Sequence, residues 1–246
     1  MRYSHRYHQS LHSVKRSRHR RLTSLVYLGL AIVVMLGVFG TRLDARLFLG
    51  GFASSLGRVI AAYILSLVLA IILGLSSVSS PIVEAILVPV LDLAQSFPTF
   101  AILPILVFYF GSSSISVVLI LTIAMLWPIV FSVIGGVKDE RVDQAEAAKL
   151  FGARGWRHFV YYRWPMLRPH VMTGSIVSWG QAWDTIVGAE IIAGVAGAGH
   201  YLGTLGTAGN TKLLMLGILV YLLFIFSINQ LIWLPLLHTY TKYQAE

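Results

Sequence analysis

The chain has 246 residues, 57% hydrophobic and 12% charged, with Lys+Arg 19 against Asp+Glu 10 and a net charge of +9. An ordinary soluble domain is roughly 25% charged, so this balance excludes a disordered chain or a water-soluble enzyme. It points to an all-α, polytopic membrane protein whose length divides into spans of about 20 residues. Cysteine is absent, which removes disulfides, iron–sulfur centres and thiolate metal sites.

The basic residues are clustered: seven lie in the first 21 positions and seven more between Lys138 and Arg168. Both clusters flank apolar runs, which suits loops beneath an anionic leaflet better than a nucleic-acid surface. Residues 1–21 read as a basic cytoplasmic tail facing lipid headgroups, and 22–246 as the membrane domain. Leu22–Phe39 is the first expected span. Its apolar run is too long for a secretory signal and lacks a clear cleavage site. A second span is expected from Leu56 to Leu75, with Arg58 near enough to one end to reach the interface. Ser76–Ser80 is a polar turn.

From Pro81 to Phe110, Pro89, Pro98 and Pro104 each remove a backbone donor. This stretch reads as a helix from Pro81 to about Gln95, a break at Ser96–Pro98, and a shorter helix to Phe110, with Gly111–Ser114 as a turn. Broken helices survive in a membrane where protein or a water-filled cavity covers the freed backbone groups. Gln95, Ser96 and Thr99 are therefore candidates for polar contacts along a pathway, with tight helix packing as the equal alternative. Ile115–Val137 is the next span, kinked near Pro128. Apolar sequence resumes from Arg168 to about Ala193, a Gly-rich stretch from Gly194 to Lys212 reads as an external loop, and Leu213–Leu237 is the last span. About six crossings result. The positive-inside rule puts both termini and the 138–168 loop in the cytoplasm.

That loop carries the most information. Asp139, Glu140 and Asp143 suit a helix start, and Ala145, Ala147 and Ala148 favour helix. Gly152 supplies the left-handed stop, and a second short helix is expected to run from about Gly155 to Pro165. The result is a helix-turn-helix whose small alanines let a partner approach closely.

Glu146-Ala147-Ala148, Gly152 after three further residues and Pro165 thirteen later resemble the EAA signature of ABC importer permeases. Tyr162 and Trp164 stand where the pattern has Ile and Leu. Ser96–Gly111 and Trp183–Gly194 are similar to segments of the nitrate, sulfonate and taurine permeases. The resemblance implies a MetI-like fold in a bacterial or archaeal plasma membrane, and a permease paired with a second permease chain, identical or related. It also implies a separate ABC ATPase seated on Glu146, Ala147, Ala148, Gly152 and Pro165, an extracytoplasmic solute-binding protein, and a small anion such as nitrate, sulfonate or taurine as solute.

Catalytic signatures are missing from the sequence. No GxxxxGK[ST] run holds a nucleotide, Gly197, Gly199 and Gly203 miss GxGxxG, and no GxSxG elbow occurs. No cofactor or metal site is expected, so ATP hydrolysis is left to a partner. Glu84, Asp92, Asp184 and Glu190 fall in or beside spans, where a central charge costs roughly 2.5–3.5 kcal/mol. Asp184 and Glu190 are candidates for pathway lining, with an inter-helix hydrogen bond as the equal alternative. Four carboxylates would repel an anion unless paired or protonated. Two rival functions remain: an ion-gradient-driven secondary transporter using one of these carboxylates, and a membrane scaffold.

Overall fold

A computed structural model describes residues 45–233 and 236. The expected tail at 1–21, the span Leu22–Phe39 and the carboxyl terminus lie outside the described residues. Within them the structure is helical, without strands. Helix α1 is Ala45–Ser77, α2 is Pro81–Gln95, α3 is Thr99–Phe110 and α4 is Ser114–Lys138. Helix α5 is Val142–Leu150, and α6 is the single turn Trp156–His158, followed by a π-helical segment at Phe159–Arg163. Helix α7 is Trp164–Ala193, α8 is Ala198–Thr207 and α9 is Thr211–Ile228, which continues as a π-turn through Trp233.

Length and composition make α1, α4 and α9 candidate membrane spans among the described residues. Two bent pairs join them: α2 with α3, at 82°, and the Trp156–Ala193 helix with α8, at 61°. Counting each pair once gives the five crossings expected after residue 45.

Local chemistry explains where the helices start. Ser80 caps α2 by accepting the Val83 N–H at 3.3 Å, with Pro81 in the first turn, where its missing donor is harmless. Ser113 caps α4 in the same way through the Ser116 N–H. The Ser96–Pro98 break falls between α2 and α3, as the prolines require.

Helices α4 and α7 form the centre. Each buries side chains along most of its length, and they meet backbone to backbone: a Cβ on Gly174 of α7 would stand 2.8 Å from the Pro128 carbonyl oxygen of α4. Two buried clusters follow. One gathers Phe48, Phe52, Ile120, Met125, Trp179, Trp183 and Tyr221, with Phe52 and Trp183 stacked at 5.4 Å. The other, nearer the loop, holds Ala70, Ile129, Val130, Val133, Leu167 and Val171.

Three expectations need correction. Helix α1 starts at Ala45, not near Leu56, and of the small residues in its first turns Gly51 and Ser55 are contact residues facing α8. The Ser54 hydroxyl donates back to the Gly50 carbonyl at 3.1 Å, and a Cβ on Gly51 would meet the Gly197 backbone at 2.9 Å. The Gly-rich stretch after Gly194 is not a plain loop. It contains α8, which buries Ala198, Gly199 and Leu202, and Gly199 lies so close to Val187 of α7 that a Cβ would be 2.6 Å from its Cα. Pro165 does not end a helix either. It sits in the first turn of α7, and the π-helical segment before it carries the chain continuously from Trp156 to Ala193. A wider π turn admits the proline ring and its missing donor.

Gly174→Leu is expected to force α4 and α7 apart at a cost of about 1–3 kcal/mol. Gly135→Leu, where a Cβ meets nothing within 4 Å, serves as the control. Thermal unfolding in detergent should show a lowered midpoint for the first variant and little change for the second.

Candidate functional site

The loop between α4 and α7 is built from residues that the rest of the described fold leaves uncovered. Helix α4 ends at Lys138, and Asp139 caps it by donating its N–H to the Gly135 carbonyl at 3.0 Å. Helix α5 then buries no residue at all. It stops as a helix closed by a left-handed glycine should: Gly152 has φ +84°, its N–H reaches the Lys149 carbonyl at 3.1 Å, and the Ala153 N–H reaches Ala148 at 3.0 Å. Only glycine adopts that φ without strain.

Polar ties fix the loop to its own base. Arg163 donates to Glu140 at 3.0 Å, the Tyr162 hydroxyl donates to the Arg141 carbonyl at 3.3 Å, and His170 lies 3.7 Å from Asp139. Trp156 stacks on Phe159 at 5.3 Å, Phe159 meets Trp164 at 6.3 Å, and Trp164 packs on the inner cluster near the loop. The two positions that depart from the EAA pattern thus have their own work here. Tyr162 spans to the start of α5 through its hydroxyl, and Trp164 anchors by bulk.

The loop presents Glu146 fully exposed, Ala147 and Ala148 half-buried, and Gly152 and Pro165 exposed. Beside Gly152 stand two apolar side chains that sequence reasoning missed: Leu150 is 88% and Phe151 92% exposed. The available signal was two large apolar residues directly before a stop glycine in an otherwise polar helix.

The intramembrane carboxylates fall into different settings. Glu190 is fully buried and hydrogen-bonded through both oxygens. Its Oε1 accepts from Arg58 Nη1 at 2.6 Å and Ser55 Oγ at 2.7 Å, and its Oε2 accepts the Gly199 N–H at 2.9 Å, at the start of α8. Arg58 also donates to the Ala196 carbonyl at 2.9 Å and Ser114 Oγ at 3.1 Å, and Ser55 Oγ accepts the Ala198 N–H at 2.9 Å. Arg58 therefore turns inward, not to the membrane interface. Glu84 pairs with Lys138 at 2.7 Å. Asp92 accepts from Gln95 Nε2 at 2.6 Å, and Ser96 Oγ donates to the Asp92 carbonyl at 3.0 Å. Gln95 and Ser96 are thus drawn together on an exposed stretch, Thr99 is half-buried, and Asp184 is exposed on α7. Glu190 joins none of these. No group of three or more His, Cys, Asp or Glu fit for a metal occurs among the described residues.

Residues 66–233 match the family described as binding-protein-dependent transport system inner membrane component. The chain belongs to this family. Its relatives include the taurine transport system permease protein of Escherichia coli (strain K12), 30% identical over 177 residues, which cover 72% of this chain and 64% of the relative. A nitrate import permease protein of Leptolyngbya laminosa is 27% identical over 73% of this chain and 64% of its own length. A putative aliphatic sulfonates transport permease protein of Bacillus subtilis (strain 168) is 22% identical over the same two shares, 73% and 64%. The chain thus spans somewhat less than two thirds of the relatives it matches.

The chain accordingly shares the fold of an ABC-importer permease family, and among the described residues it has the long apolar helices that such a family requires. The family match begins at residue 66, within α1, and includes Glu190 but not Arg58, so the ion pair ties the matched region to the part of α1 that precedes it. Breaking a buried pair from one side leaves an uncompensated charge, at about 3–5 kcal/mol. Arg58→Met is expected to lower the unfolding midpoint sharply, and Arg58→Met with Glu190→Gln to recover much of the loss. A double-mutant cycle by thermal denaturation in detergent measures the coupling.

Proposed function

We propose that this permease forms the translocation pathway of an ATP-driven solute importer and that its 138–168 loop docks on a separate ABC ATPase. The carrying observation is helix α5: it buries nothing, yet it has a fixed stop and two exposed apolar side chains at its end. Large apolar side chains left uncovered on an ordered element fit a protein partner. Glu146, Ala147, Ala148 and Gly152 form the contact, with Pro165 at the point where the loop enters α7.

In the mechanism this implies, ATP binding closes the partner ATPases and draws two loops together, and the spans swing from an inward-open to an outward-open cavity. Reversing a 1:99 preference takes about 5.5 kcal/mol of differential affinity, which a distant nucleotide site delivers only through a rigid contact. A second permease chain completes the pathway, and an extracytoplasmic binding protein delivers the solute. Both termini and the loop face the cytoplasm. Gln95, Ser96, Thr99 and Asp184 supply polar contacts along the pathway, while Glu190 serves there through its pairing with Arg58.

The relatives are named for taurine, nitrate and aliphatic sulfonates, and a small anion of that kind is the proposed solute. Pairing of Glu190 with Arg58 and of Glu84 with Lys138 supports this, since it removes much of the repulsion that four bare carboxylates would impose. The ion-gradient alternative loses Glu190 as a proton carrier for the same reason.

Gly152→Pro deletes an N–H that closes the α5 stop and demands a negative φ where the chain has a positive one. It is expected to abolish ATPase association and ATP-dependent uptake into vesicles, with membrane insertion intact. A bulky residue at Ala147 should do the same. Full uptake in either variant, or uptake driven by a proton gradient without any ATPase, would contradict the proposal.

A further inference from the structure

Helix α2 is attached differently from every other long helix described. It has no buried residue, and it touches the inner cluster only through the partly buried Val88 and Leu91. Its distal end runs into the exposed Ser96–Phe97–Pro98 elbow, where the axis turns by 82°. The turn there is held by two long backbone bonds, Ser96 N–H to Leu93 at 3.2 Å and Phe97 N–H to Ala94 at 3.3 Å, and Pro98 brings no donor and no side-chain cap. A few loop residues of this kind absorb the dihedral changes of a hinge.

Beyond the elbow the chain is fixed. Leu103 of α3 is completely buried, and Phe100 lies where a Cβ on Gly188 of α7 would come within 2.9 Å. Ser116 Oγ of α4 bonds the Leu106 carbonyl at 3.3 Å. Helix α3 therefore stays with α4 and α7.

At its other end α2 has one polar side-chain link to another helix among the described residues, the Glu84–Lys138 ion pair at 2.7 Å. Its position matters more than its strength. Lys138 is the last residue of α4 and the first of the coupling loop, and each charge is favoured where it stands: Glu84 in the first turn of α2, Lys138 in the last turn of α4. The side chains are 36% and 49% exposed, so the bridge is reversible and modest.

We propose that Glu84 is a positioning residue for transport: its bridge to Lys138 makes α2 follow the loop end of α4, and Ser96–Pro98 is the hinge on which α2 turns relative to α3, which is held at the opposite ends of α4 and α7. This rests on the loop being the ATPase contact. Force entering at α5 thus reaches the Gln95–Ser96 stretch by two routes, through the packed α4–α7 pair and through Glu84.

The natural absence of cysteine allows paired spin labels at Ile86→Cys and Val177→Cys, both exposed, on α2 and α7. The label separation is measured in the permease assembled with its ATPase in nanodiscs, with and without a non-hydrolysable ATP analogue. The labelled parent should show a nucleotide-dependent shift. Glu84→Gln should lower the ratio of shifted to unshifted molecules by up to about fivefold, the upper scale of one exposed ion pair, with the ATPase still bound. The exchange Glu84→Lys with Lys138→Glu should restore part of the shift, the helix dipoles withholding the rest. An unchanged shift in Glu84→Gln, or an exchange variant no better than the single ones, overturns the proposal while the coupling reading stands. If the labelled parent itself fails to retain the ATPase, the coupling reading falls and takes this proposal with it.

Discussion

Helices α4 and α7, which carry the loop between them, cannot be drawn apart. Gly174 brings the backbone of one against the Pro128 carbonyl of the other, and a Cβ at Gly136 would already collide with the His170 ring at 2.8 Å. Packing at backbone distance leaves no compliant side-chain layer to absorb a displacement. Whatever moves the 139–163 segment therefore moves the loop-side halves of both helices together. The continuous run from Trp156 through the π-helical segment into α7 makes the second attachment as stiff as the first. Small residues at helix crossings are the usual membrane route to such closeness, since lipid gives no hydrophobic push between helices.

The far end of the same bundle is fastened by a different force. A charge in an apolar span is expensive, and an unmatched one more so than a matched pair. Glu190 and Arg58, brought from positions 132 residues apart, satisfy each other and then recruit Ser55, Ser114 and the first backbone N–H groups of α8. The carboxylate occupies the positive end of a short helix, where a negative charge is favoured. The carboxylate is closely packed, because a Cβ on Gly197 would overlap it. Glycine at 197 is thus a consequence of the buried carboxylate, while Gly199 is set first by the backbone of Val187.

Much of this was legible in one dimension. The proline and serine punctuation of residues 76–114 gave α2, the break and α3 almost to the residue, because the rules involved are local: a missing donor, a serine cap, a glycine turn. The α5 stop at Gly152 was legible for the same reason. What failed was everything decided by a distant partner. The Gly-rich stretch after Gly194 looked like a loop, yet Gly197 and Gly199 are where backbones touch, against Gly51 and Val187. Arg58 looked like an interfacial charge because hydropathy carries no information about Glu190. Pro165 looked like a terminator because helix rules ignore a preceding π turn. Leu150 and Phe151 were passed over because composition cannot say which apolar residues are left uncovered.

On the proposed function, an ordered, uncovered element rigidly joined to the centre of a membrane bundle receives force from another subunit. Photo-crosslinking from single cysteines at Leu150 and Phe151, in membranes where the permease is expressed with its neighbours, tests it directly. The account expects an adduct with a separate nucleotide-binding subunit whose yield changes with ATP. Adducts confined to the permease's own chain, with no foreign subunit reached from either position, would contradict it.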